Sequence, residues 1–277
     1  VINSTFYASG TQNGKLCQAC RPATSTTAWT TEAAVCNCTG AYEAVSTANL
    51  CVAKQASISS VLVNYYYIDK TEVTRGQYDT WLATNPAAPV SDSLCSNWLG
   101  WEKPTAFSPG CADGNPHNPV TCVDWCDAKY YCQGVGKRLC GNISGGAMDF
   151  TNGVTDRTYG QWARACNTAY TFPYNSDTYQ PATCNGADHS SSIVPVASMA
   201  GCATSAGVFD LSGNVSEWID AHLEIGIYPV WPCGVLGGSY KDGTSTSKES
   251  NLTCGDGSVD DACTAIRADR GFRCCSI

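Results

Sequence analysis

Val61-Leu62-Val63-Asn64-Tyr65-Tyr66-Tyr67-Ile68-Asp69-Lys70-Thr71-Glu72-Val73-Thr74 is where the texture of the chain changes. Val61 to Ile68 is a run of β-branched and aromatic residues and predicts one strand. Thr74 then stands where a helix starts. Gln77 follows it at the spacing of a capping box, and Tyr78, Trp81 and Leu82 fall on one face at helical spacing.

Downstream, residues 85–118 are rich in Pro, Gly and Trp and read as loop. A second helix is predicted from Trp125 to Gln133, capped by Asp124 and stopped by Gly134 and Gly136, with Trp125, Ala128, Cys132 and Val135 as its buried stripe. Gln161 to Cys166 reads as a short helix, and the remainder as short strands, turns and loops. Upstream, residues 1–56 carry five cysteines (Cys17, Cys20, Cys36, Cys38, Cys51) and little aliphatic content. Too little apolar surface is present for a core, so cross-links must hold this part. Cys36-Asn37-Cys38-Thr39-Gly40-Ala41-Tyr42 followed by Cys51 resembles half of a small epidermal-growth-factor-like (EGF-like) module. A disulfide-pinned extended arm accounts for the same residues equally well.

With 43% hydrophobic residues the 277-residue chain can bury an ordinary core. The net charge of -8 speaks against a phosphate-backbone footprint, so no nucleic acid is expected as partner. No apolar run approaches the roughly 18 to 20 residues of a membrane span. Nineteen cysteines point to an oxidising, extracellular or cell-surface location. A zinc ribbon is disfavoured, because Cys36-Asn37-Cys38 has the wrong spacing to complete Cys17 and Cys20. Val1-Ile2-Asn3-Ser4 has neither a basic nor an apolar signal region, so the numbering is read as starting at a mature or trimmed end. Sequons at Asn3, Asn37, Asn142, Asn214 and Asn251 permit glycosylation.

Nineteen is odd: either one thiol is free or one cysteine pairs with another chain. With five cysteines in the arm and fourteen beyond it, one bond should leave the arm, to its own domain or to a neighbouring molecule.

Further blocks follow in order: Asn118-Pro119-Val120-Thr121-Cys122-Val123-Asp124-Trp125, Gly136-Lys137-Arg138-Leu139, Gln161-Trp162-Ala163-Arg164-Ala165, Asp210-Leu211-Ser212-Gly213-Asn214-Val215-Ser216-Glu217-Trp218, Gly237-Gly238-Ser239-Tyr240 and Arg270-Gly271-Phe272-Arg273-Cys274. With Tyr67 to Thr74 they resemble, in order, the formylglycine-generating enzyme (sulfatase-modifying factor) family. The resemblance implies an α+β, C-type-lectin-like domain over 57–277 with low regular secondary structure, preceded by the disulfide-rich segment 1–56.

In that family two cysteines, two and seven residues after the Tyr of Gly-Gly-Ser-Tyr, hold copper. Here those positions are Asp242 and Ser247. Soft Cu(I) needs soft donors, so neither copper nor any catalytic residue is expected. Cys254 is expected in a disulfide. The resemblance also implies structural calcium, held by Asp210, the Gly213 and Val215 carbonyls, and Glu217, with the family's Asn replaced by Asp210. Hard oxygens at short spacing suit that ion; a turn with locally bonded carboxylates is the alternative. A second calcium set maps to Asn185, Gly186, Asp188 and Ser190.

Other constellations are thin. His117, His189 and His222 are separated and sit in loop-like contexts, Gly141 to Gly146 lacks the residues of a phosphate loop, and Asp256, Asp260 and Asp261 read as an acidic loop. The expected function is a non-catalytic, secreted structural or binding module that assembles with copies of itself through residues 1–56 into a filament or surface structure. The alternatives are a calcium-dependent lectin with Trp98, Trp101 and Trp231 as glycan platforms, and a metal-dependent oxidoreductase.

Overall fold

The computed structural model describes residues 60–63, 66–86, 95, 111, 114–149, 155–222, 232–243, 250–255 and 257–276, together with the backbone of five short strands before residue 54. Two compact units are present, Val1–Ser57 and Ile58–Ile277. In the first, β1 (Gln12–Asn13), β2 (Gln18–Ala19) and β3 (Thr30–Thr31) form an antiparallel sheet, and β4 (Tyr42–Val45) pairs with β5 (Leu50–Ala53). The EGF-like and disulfide readings of this segment lie outside the described residues.

The second unit opens with a correction. The strand expected over Val61 to Ile68 is a hairpin of two, β6 (Ser60–Val63) and β7 (Tyr66–Asp69), with Val61 opposite Ile68 and Val63 opposite Tyr66. Asn64, a turn former inside a β-branched run, is the signal of that break. Lys70 to Thr74 then leads into α1 (Arg75–Leu82). Thr74 Oγ1 accepts from the Gln77 N–H at 3.2 Å, and Gln77 Oε1 accepts from the Thr74 N–H at 2.7 Å, so the expected capping box forms. Tyr78 and Trp81 are buried, stacked on and edge-on to Tyr131 of the next helix at 5.5 and 5.1 Å.

That helix, α2 (Trp125–Gly134), is capped by Asp124 as expected. Its burial exceeds the expected stripe: Cys126, Asp127, Tyr130 and Tyr131 are buried as well. Apart from Lys129, Gln133 and Gly134 the helix is covered, a wider burial than one-faced periodicity reveals.

β8 (Arg138–Leu139), β9 (Met148–Asp149) and α3 (Gln161–Cys166) follow, then β10 (Ser216–His222), β11 (Pro232–Leu236), β12 (Gly257–Ala262), β13 (Arg270–Phe272) and β14 (Cys274–Ser276). One sheet has the order β6-β7-β14-β8 and the other β12-β11-β10-β13, with β9 also on β10. Asp260 and Asp261, expected in a loop, lie in β12, antiparallel to β11. His222 ends β10 rather than sitting in a loop, its ring edge-on to Trp125 at 6.4 Å.

All fourteen cysteines of this unit pair with one another: Cys95–Cys126, Cys111–Cys122, Cys132–Cys274, Cys140–Cys275, Cys166–Cys254, Cys184–Cys202 and Cys233–Cys263. Cys132–Cys274 and Cys140–Cys275 span 142 and 135 residues and anchor β14 to α2 and to the residue after β8. Closing loops of that length restricts the unfolded chain most, at about 2–5 kcal/mol per bond. Between the sheets and helices lie the buried side chains of Tyr66, Ile68, Trp125, Trp162, Trp218 and Phe272.

Candidate functional site

The turn before β10 is built from residue types that tolerate the left-handed region. Asp210, Gly213 and Asn214 have φ of 60°, 76° and 60°. At Gly213 a Cβ would stand 2.5 Å from the Asn185 carbonyl oxygen, so the close approach of the two segments requires glycine. Asn214 is the junction. Its Nδ2 donates to Glu72 Oε1 at 3.0 Å, and its Oδ1 accepts from Asn185 Nδ2 and the Val194 N–H, each at 3.0 Å. Its backbone carbonyl accepts from the Tyr240 N–H at 3.0 Å. One buried amide thus joins the β7–α1 connection, the 185–194 loop and the Gly-Gly-Ser-Tyr turn.

Around it lie three buried carboxyl groups, Glu72, Asp210 and Glu217, and one buried guanidinium, Arg273. Glu217 Oε2 accepts from Arg273 Nε at 2.7 Å and from Trp162 Nε1 at 2.9 Å, while its Oε1 accepts from Arg273 Nη2 at 2.6 Å. This is the two-pronged arginine–carboxylate geometry. Burial, then the charge of Asp210, holds the Glu72 carboxyl well above the ordinary range. Burial also pushes Asp210 up to about 6, against the opposing pull of the Ala197 N–H that donates to its Oδ2 at 2.6 Å. Glu72 Oε2 is buried without a hydrogen-bond partner.

The position of the family's first copper cysteine belongs to the neighbouring loop 237–243. Asp242 Oδ2 accepts from the backbone N–H and hydroxyl of Ser239, and Oδ1 accepts from Asn251 Nδ2 at 2.9 Å. The carboxylate is spent on holding the turn. Cys254 is bonded to Cys166, as the sequence led us to expect. Ser247, Trp98, Trp101 and Trp231 lie outside the described residues.

The resemblance-implied calcium residues divide into two places. Asp210, Gly213, Val215 and Glu217 share the turn and the start of β10, yet Glu217 is turned to Arg273 and Trp162, so this set does not fit a calcium ion. Asn185 and Gly186 are buried below Asn214, whereas Asp188 is exposed, its carboxylate accepting from Tyr179 Oη and the Ala182 N–H, both at 2.8 Å. The neighbouring Ser190 donates or accepts within its own loop, toward Ser192. Among the described residues no group of three or more His, Cys, Asp or Glu side chains is arranged around a metal position. The Asn214 sequon is closed in the folded protein, because that side chain is 1% exposed and its amide is engaged. Sequence reasoning missed Glu72 and Arg273 as members of the cluster; their presence in the Glu72-Val73-Thr74 and Phe272-Arg273-Cys274 blocks was the available signal.

Fold and site define an α+β domain of the C-type-lectin-like, formylglycine-generating-enzyme type. The chain belongs to the sulfatase-modifying factor family: residues 21–276 match the Sulfatase-modifying factor enzyme 1-like domain. Among solved structures it is similar to CarF (22% identity, 76% of this chain and 85% of that one, TM-score 0.49). It is similar also to PvdO from Pseudomonas aeruginosa (19%, 76% and 80%, TM-score 0.49) and to variable protein 1 of Treponema denticola (18%, 80% and 92%, TM-score 0.46). No curated protein matches the chain. Seven disulfides in the second unit fit an oxidising environment. Among the described residues no helix is long and apolar enough to cross a membrane.

Proposed function

We propose that this chain is a non-catalytic, extracellular binding or structural module of the sulfatase-modifying factor family that assembles through its N-terminal segment. The observation that carries the reading is Asp242. The family's copper chemistry requires a thiolate there, and this chain has a carboxylate whose oxygens are taken up by Ser239 and Asn251. The cysteines on either side of Asp242 in sequence, Cys233 and Cys254, are both held in disulfides. Incubating the protein with copper and a cysteine-containing sulfatase peptide tests this, and formylglycine formation at a rate above the copper-only control would overturn it.

Parity supports the assembly part. Fourteen cysteines pair within Ile58–Ile277, leaving Cys17, Cys20, Cys36, Cys38 and Cys51, an odd number. At least one of the five therefore bonds outside residues 1–277 or remains a thiol. Mass analysis without and with reductant separates the two: a covalent oligomer that collapses on reduction supports assembly, and a monomer with one alkylatable thiol refutes the covalent form.

A further inference from the structure

The resemblance implies calcium on the Asp210–Glu217 segment, and the geometry there belongs to a different cation. Both Glu217 oxygens are held by the planar fork of Arg273, and Oε2 accepts a third donor from Trp162. The guanidinium is largely committed too, with four of its five N–H donors engaged. Nη1 donates to the Asp69 carbonyl at 3.0 Å and Nη2 also donates to the Phe209 carbonyl at 2.9 Å. Arg273 is 0% exposed and Glu217 0% exposed. Calcium requires six to eight oxygens at roughly 2.3–2.6 Å. Placing it on Glu217 would set a divalent ion beside a permanently charged guanidinium where both side chains are fully buried and bulk solvent screens them little. Withdrawing Arg273 to make room would strip donors from the buried Asp69 carbonyl and the part-buried Phe209 carbonyl as well as from the carboxylate.

We infer that Arg273 is the resident cation of this segment, doing by hydrogen bonds what the family resemblance assigns to calcium, and that Glu217 binds no divalent ion. One side chain from the link between β13 and β14 thereby gathers the end of β7 (Asp69), the residue before the left-handed turn (Phe209) and the start of β10 (Glu217). Trp162 lies against the same carboxylate and would sensitise a lanthanide bound there, which makes the site readable.

The test is anomalous diffraction from crystals of the full chain soaked in terbium, with thermal melting in calcium and in chelator as the solution counterpart. The inference expects no anomalous peak within coordination distance of the Glu217 carboxylate, and the same melting temperature in both conditions for a protein whose Asp188 is replaced (Asp188→Asn). A peak on Glu217, with Arg273 displaced, would overturn it. A peak elsewhere, at Asp188 for instance, leaves Arg273 as the cation of Glu217 and supports it.

Discussion

Asp242 closes its carboxylate on Ser239, with Oδ2 accepting from the backbone N–H at 2.9 Å and from the hydroxyl at 3.1 Å. The other oxygen reaches Asn251, so the loop 237–243 is tied across to residue 251. In this chain the position is an architectural one. Asp242→Ala removes the acceptor of three hydrogen bonds, two of them within a part-buried turn. The expected loss is about 1–3 kcal/mol, read as a lower urea midpoint at unchanged slope.

The Glu72–Asp210 pair gives the protein an unusual pH dependence. Burial pushes Asp210 up to about 6, and Glu72 well above its ordinary value, so the native state holds protons that the unfolded chain releases near pH 4. Stability from these groups is therefore complete below about pH 4 and declines as pH rises through about 6 and beyond. Asp210→Asn keeps a side chain that tolerates φ of 60° and removes one of the titrating groups. It should raise stability at pH 7 by on the order of 1–3 kcal/mol and flatten the profile between pH 4 and 7. Denaturant titrations across that range check it, and an unchanged profile would count against the raised pKa of Asp210.

Glu217→Ala leaves a buried guanidinium without its counter-charge. Breaking a buried pair from one side costs about 3–5 kcal/mol, and the indole N–H of Trp162 loses its acceptor as well. Glu217→Gln, which keeps an oxygen for Trp162, should cost less than Glu217→Ala. Equal stability of both variants with wild type would show that the fork contributes nothing.

Peptide mapping of the unreduced protein should recover Cys132 joined to Cys274 and Cys140 joined to Cys275. The double replacement Cys132→Ala with Cys274→Ala is expected to lower stability by about 2–5 kcal/mol. An exchanged pairing, Cys132 with Cys275, would displace β14 relative to α2.

The caps of α1 and α2 were legible because their hydrogen bonds close within three residues: Thr74 with Gln77, and Asp124 with Asp127. The hairpin at 60–69 was read as one strand, since one long strand and two short ones share the same β-branched and aromatic preferences and Asn64 was the single signal against it. Strand β12 was hidden for a related reason: acidic residues suggest a loop until β11 supplies the ladder against which they pair.

By itself the sequence determined the family, through blocks kept in order from Tyr67 to Cys274, and the oxidising setting, through its cysteines. It determined also that Asp242 cannot serve as a soft metal donor, because donor softness is a property of the residue type. Only the tertiary structure decided which oxygens are already taken. Glu217 looks like a ligand when read along its own segment, but its partner Arg273 lies 56 residues away, and Asn214 reaches Glu72 across 142. Spacing along the chain reports which groups can share a turn. Whether a buried carboxylate meets a guanidinium, a proton or a metal ion depends on what the folded chain brings to it from elsewhere, because a charge removed from water must be neutralised by whatever stands within a few ångströms.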